Sequence, residues 1–148
     1  MVVEGTVQSI VVDAPPEVVR RVALDVERYP EWAGGVKSVR VLEVDEAGRP
    51  AKAEFEVDAM IKELSYTLVY DHEHESGFSW TAIPNEDLEA LEGSYEFHET
   101  DDGGTEVVYA LRVEPAFKVP GFLRRQAEKQ IIGTALRGLK KQAEAAAT

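Results

Sequence analysis

The chain has 148 residues, a net charge of −12, 44% hydrophobic and 30% charged residues, and no cysteine. That length is one domain's worth and buries a core without a disulfide or metal staple, and the missing cysteine excludes thiol catalysis. A surface this acidic repels a phosphate backbone and argues against a nucleic-acid partner. No basic leader precedes an apolar core at the N-terminus, and no apolar run approaches the roughly 20 residues of a membrane span, so the expectation is one cytoplasmic domain over residues 1–148.

Thr6–Val12 is rich in β-branched residues and reads as a strand. Asp13-Ala14-Pro15-Pro16 stops it, and Pro16 with Glu17 suits a first helical turn. Val19, Val22, Ala23 and Val26 recur at i, i+3, i+4 and i+7, which predicts an amphipathic helix over Pro16–Val26. Pro30 ends that pattern, and a second short helical piece is placed at Glu31–Ala33. Trp32 there is either an anchor for a lid or the wall of a pocket.

From Val36 the period switches to two, and the predicted strands are Val36–Val44, Ala51–Ala59, Glu63–His72, Gly77–Ile83, Glu89–His98 and Thr105–Glu114. Short breaks with turn residues, such as Asp45-Glu46-Ala47-Gly48 and Asp101-Asp102-Gly103-Gly104, favour hairpins and an antiparallel meander. The alternation puts Ala53, Phe55, Val57 and Ala59 on one face, with Leu64, Tyr66, Leu68 and Tyr70, Phe78 and Trp80, Leu91, Tyr95 and Phe97, and Val107, Tyr109, Leu111 and Val113. Val36–Val44 mixes polar and apolar residues in both phases and yields no inner face. A sheet with one apolar face must cover it. The natural cover is a long helix over Pro120–Ala146, with Ala127, Ile131, Ile132, Ala135, Leu136, Leu139 and Ala143 in one arc.

The order of strand, two short helices, six antiparallel strands and a long helix resembles the START-like helix-grip (SRPBCC) superfamily, in particular its polyketide cyclase/dehydrase-like branch. The resemblance is carried by Ala14-Pro15-Pro16-Glu17-Val18, Asp25 through Tyr29-Pro30-Glu31-Trp32, Leu91–Phe97, Gly104–Tyr109, and Val119-Pro120-Gly121-Phe122. It implies an α+β helix-grip fold: a curved antiparallel sheet of about seven strands, two short helices after the first strand, and a C-terminal helix over an apolar cavity. It also implies a ligand of lipid, polyketide, quinone or other aromatic type. Relatives of this kind include aromatase/cyclases as well as carriers and sensors, so fold alone does not choose between them.

The candidate ligand contacts are Trp32, Phe55, Tyr66, Tyr70, Trp80, Leu91, Tyr95, Phe97, Tyr109, Phe122, Arg124, Glu128, Ile131 and Ala135. The tyrosine and tryptophan tips either reach the sheet rim or meet a ligand's oxygens. Arg124 and Arg125 sit near the start of the last helix, where the dipole disfavours cations, and Arg124, Arg125 and Glu128 fall inside its apolar arc. They are read either as a cationic contact at a mouth rimmed by Met60, Ile61, Pro84, Phe117, Val119 and Phe122, or as surface arginines paired with neighbouring acids. Residues 121–148 carry six basic and two acidic side chains, a weak argument for peripheral membrane contact. His72 and His74 share a strand face, but the charge around them reads as a solvated hairpin end, so no metal and no cofactor are expected. Ser65, Ser79 and Ser94 lack a supporting histidine in sequence, and no acid, base or nucleophile stands out. The reading is a binder or carrier of a small hydrophobic molecule, with a cyclase or aromatase as the first alternative and a regulatory or membrane-associated lipid-binding module as the second.

Overall fold

The structure, a computed structural model, describes residues 5–58 and 62–147. Its elements are strand β1 (Thr6–Val12), helix α1 (Pro16–Leu24), a 3-10 helix (Val26–Glu31), β2 (Val36–Val44), β3 (Pro50–Asp58), β4 (Glu63–Asp71), β5 (Gly77–Ala82), β6 (Leu88–Glu99), β7 (Thr105–Pro115) and α2 (Gly121–Ala146). The seven strands form one antiparallel sheet in the order β1-β7-β6-β5-β4-β3-β2. Strands β2 to β7 follow one another by hairpins. Strands β1 and β2, adjacent in sequence, lie at opposite edges, so the segment joining them must cross a face of the sheet.

That crossing segment is a lid. Pro15 is extended (φ −63°, ψ 152°), Pro16 opens α1, and Val19 and Ala23 are buried beneath it. Helix α1 ends at Leu24, two residues earlier than the apolar spacing predicts. The chain leaves helical geometry at Asp25 (φ −84°, ψ 69°) and continues as the 3-10 helix, with Pro30 inside it. The second helical piece therefore precedes Trp32 rather than containing it. A tight i→i+3 turn tolerates Pro30 near its end, and Trp32 caps it by donating its N–H to the Tyr29 carbonyl at 3.0 Å.

The inner face follows the alternation: Ala53, Phe55, Leu68, Phe78, Trp80, Leu91, Tyr95, Phe97, Val107, Tyr109 and Leu111 are all buried. The mixed phase of β2 has a structural cause. Its register against β3 shifts between Val36 and Ser38 and again beyond Val41, so Val36, Val39 and Val41 pack on the core at spacings of three and two. Ala59, Met60 and Ile61 lie outside the described residues.

Helix α2 covers the sheet. Its buried apolar residues, Ile132, Leu136, Leu139 and Ala143, all lie from Ile132 onward. Gly138 lets it approach the lid: a Cβ there would stand 2.3 Å from the Trp32 carbonyl oxygen and 3.0 Å from its ring. Among the described residues no helix is long and apolar enough to cross a membrane.

Candidate functional site

A cavity of about 120 Å³ lies between the sheet, the lid and the middle of α2. Strands β2 to β7 supply its wall, β2 through Val36 alone and the others through their inward-facing residues. Cross-strand neighbours carry aromatics side by side: Phe55 opposite Tyr66, Tyr70 opposite Trp80, and Tyr95 opposite Tyr109. Phe55 and Tyr66 stack at 5.5 Å with planes 9° apart, and the Tyr95 and Tyr109 rings are 4.6 Å apart. The Trp80 indole lies over Gly93, whose missing side chain makes room for it: a Cβ there would be 2.4 Å from the ring. From the lid come Tyr29, Trp32, Ala33 and Gly34, and from α2 come Ile131 and Ala135.

Trp32 fills both roles considered for it. Its backbone and ring abut Gly138 of α2, and it also lines the cavity, 4.8 Å from the Tyr29 ring. Both tryptophans of the chain therefore face the same space.

The wall is almost uncharged. Among the described residues the only ionised side chain that lines it is Asp58, which is exposed at the β3 end. Tyr29 donates its hydroxyl to the Ala23 carbonyl. The hydroxyls of Tyr66, Tyr70, Tyr95 and Tyr109 have no hydrogen-bond partner among the described residues. Burial pushes all five phenols up from their ordinary pKa, and nearby tyrosines add to the effect: Tyr66, Tyr109 and Tyr95 on Tyr70, and Tyr95 and Tyr66 on Tyr109. At neutral pH the phenols are protonated donors.

A second, smaller cavity of about 70 Å³ adjoins the first, sharing Val113 and Ile131 with it. It lies under the N-terminal half of α2 and is lined by Leu64, Leu88, Phe117, Val119 and Leu123 together with Lys62, Arg124 and Glu128. These charges are already engaged. Glu128, only 2% exposed, accepts from the Thr6 hydroxyl at 2.9 Å and from the Val113 N–H at 2.8 Å, tying α2 to β1 and β7. Arg124 donates to Glu114 at 2.7 Å, and its buried Nε has no partner among the described residues. Lys62 pairs with Asp87 at 2.7 Å and sits 5.3 Å over the Phe117 ring. Arg125 is exposed.

Of the residues proposed from sequence, Trp32, Phe55, Tyr66, Tyr70, Trp80, Leu91, Tyr95, Tyr109, Ile131 and Ala135 surround the first cavity, and Arg124 and Glu128 border the second. Two lie off both. Phe97 is buried at the far end of β6, packed on Phe78 and Tyr95 with the Arg20 guanidinium 5.4 Å above its ring. Phe122 is 63% exposed, because its position on the first turn of α2 points outward. Missing from the sequence reading are Tyr29, Ala33, Gly34, Val36, Val57, Asp58, Leu68, Leu111 and Val113. The strand alternation already held Val57, Leu68, Leu111 and Val113 on the inner face. Nothing in the local pattern points Tyr29 inward.

The histidines stand apart. His72 Nε2 is 2.6 Å from the Pro50 carbonyl oxygen, His74 Nε2 is 3.1 Å from Ser79 Oγ, and His98 Nε2 is 3.1 Å from Glu96. Among the described residues no group of three or more His, Asp or Glu is arranged to hold a metal.

Comparison with known proteins places this geometry. The model of the family described as polyketide cyclase / dehydrase and lipid transport matches residues 12–140. No curated protein matches. Among solved structures, a START superfamily protein from Mycobacterium smegmatis superposes with a TM-score of 0.88 at 18% identity, covering 95% of this chain and 97% of that one. The Zhui aromatase/cyclase from Streptomyces sp. R1128 gives 0.75 at 16% identity, with 94% and 92% covered. A STAR-related lipid transfer protein from Xanthomonas axonopodis gives 0.70 at 16% identity, with 96% and 89% covered.

Proposed function

The chain belongs to the polyketide cyclase/dehydrase and lipid transport family, and we propose that it binds and carries a small hydrophobic molecule in the aromatic cavity beneath α2. The observation that carries this reading is the lining itself. Aromatic and aliphatic groups from six strands, the lid and α2 converge on a space that side chains leave open, and among the described residues Asp58 is the one charged group in that lining. Apolar cavities of about 150 Å³ take up a benzene ring, so this one is on the scale of a single ring. Protonated phenols orient a ligand, whereas proton abstraction calls for a base titrating near the working pH. That favours carriage over cyclisation, the chemistry named for the Streptomyces relative.

Native mass spectrometry of the protein purified from cells tests the proposal. The expected result is a noncovalent adduct that disappears on denaturation and is lost in Ala135→Phe, where the added ring occupies the cavity. A spectrum without adduct, together with conversion of a linear poly-β-ketone to a cyclised product, would favour the cyclase.

A peripheral membrane contact is a second reading, favoured by one observation. Phe122 (63% exposed) and Leu123 (39%) project beside exposed Lys118, Arg125 and Lys129. Apolar tips ringed by cations suit an anionic lipid surface. Co-sedimentation with phosphatidylglycerol vesicles that Phe122→Ser abolishes would support it, and no sedimentation would remove it.

A further inference from the structure

We propose that Val113 and Ile131 form a waist between the two cavities and set the length of ligand that the protein accepts. This rests on the binding reading above and adds the residues that decide ligand size. Among the described residues these two alone border both spaces.

The waist follows from how both walls run past it. On β7, Leu111, Val113 and Pro115 are spaced by two and share the inner face. Leu111 borders the first cavity, Pro115 the second, and Val113 both. On α2, Leu123, Ala127, Ile131 and Ala135 are spaced by four and stand in one row. Ala135 borders the first cavity, Leu123 and Ala127 the second, and Ile131 both. The two spaces are therefore chambers in line along the helix, of about 120 and 70 Å³. Ile131 has an alanine one turn to either side, so it is the side chain that projects between them. Val113 meets it from the sheet. Both are β-branched and stiff at χ1, which suits a constriction.

The two sides are held differently. Val113 pairs with Leu91 across β6 and β7, and its N–H is held by the Glu128 carboxylate at 2.8 Å. Ile131 is 38% exposed and backs onto a surface hollow that it shares with Gly34, Gln130 and Thr134. Trimming Ile131 therefore opens the waist without leaving a sealed void in the core. The first chamber alone is on the scale of one ring, and a ligand much longer than that has to cross the waist.

Calorimetric titration of the intact protein with toluene, ethylbenzene, n-propylbenzene and n-butylbenzene reads the waist, because the series lengthens by one methylene at a time. A methylene that finds apolar space tightens binding about 4-fold. In the wild type, n-butylbenzene is expected to bind no more tightly than toluene. In Ile131→Ala the affinity is expected to rise along the series, with n-butylbenzene about 10-fold or more tighter than toluene. Val113→Ala is expected to change the series in the same direction from the sheet side. Gln130→Ala, an exposed position on the same turn that borders neither cavity, should leave the series as in the wild type. A wild-type affinity that climbs with each methylene, a series unchanged in both Ile131→Ala and Val113→Ala, or one changed as much by Gln130→Ala would overturn the inference and leave the binding reading standing. If none of the four binds and the purified protein carries no adduct, both readings fall.

Discussion

The two halves of helix α2 do different things with the same sheet. From Ile132 onward the helix is a clamp: Ile132, Leu136, Leu139 and Ala143 are at most 3% exposed. Before Ile132 it is a cover. There the one fully buried side chain among the described residues is Glu128, while Phe122, Leu123 and Ile131 are 63%, 39% and 38% exposed and the two cavities lie beneath. Stability is concentrated under one half and open space under the other. A helix that sealed the sheet along its whole length would leave nowhere for a ligand.

The largest expected effect comes from the open side. The unfolded chain's tyrosines ionise near pH 10, whereas the five phenols around the cavity have pKa values raised above that by desolvation. The native state therefore holds protons that the unfolded state has released. Their stabilising contribution is intact below about pH 10 and is lost progressively as pH rises toward the folded values. Urea midpoints should hold steady up to about pH 9 and then fall steeply, and Tyr95→Phe should make the fall shallower. A flat profile through pH 11 would mean that these rings are not buried.

On the clamp side, Leu139→Ala removes a side chain with no exposed surface and is expected to cost about 2–5 kcal/mol in urea denaturation. Next is Glu128→Ala, which strands the Val113 N–H and the Thr6 hydroxyl; about 1–3 kcal/mol is expected from the same measurement. The smallest effect, within about 0.5 kcal/mol, belongs to Phe122→Ser on the cover. If Phe122→Ser were as costly as Leu139→Ala, the contrast between clamp and cover would fail.

The sequence carried the sheet well, because each strand from β3 to β7 has one apolar face and alternation reads it directly. It carried β2 poorly. Bulges on either side of Val39 and Val41 switch which parity points inward, and a fixed period of two averages that away. The apolar arc of α2 was legible, but a helical wheel weighs every turn alike and does not say which turns meet the sheet. Ile131 and Leu139 both fall in that arc, and they are 38% and 0% exposed. Phe97 shares a strand face with Tyr95 but lies beyond the cavity, since alternation fixes the side of a sheet and not the position along it. Tyr29 was illegible for another reason. Its inward ring follows from the turn at Asp25 and the 3-10 helix around Pro30, a backbone path set by the lid's packing rather than by local periodicity.

The most direct test of a ligand site under the cover is two-dimensional NMR of the uniformly labelled protein titrated with toluene. The indole N–H signals of Trp32 and Trp80 and the amides of Tyr95 and Ala135 should shift together and saturate, while those of Leu139 and Ala143 stay in place. Shifts confined to Phe122 and Leu123, or none at saturating toluene, would contradict the account.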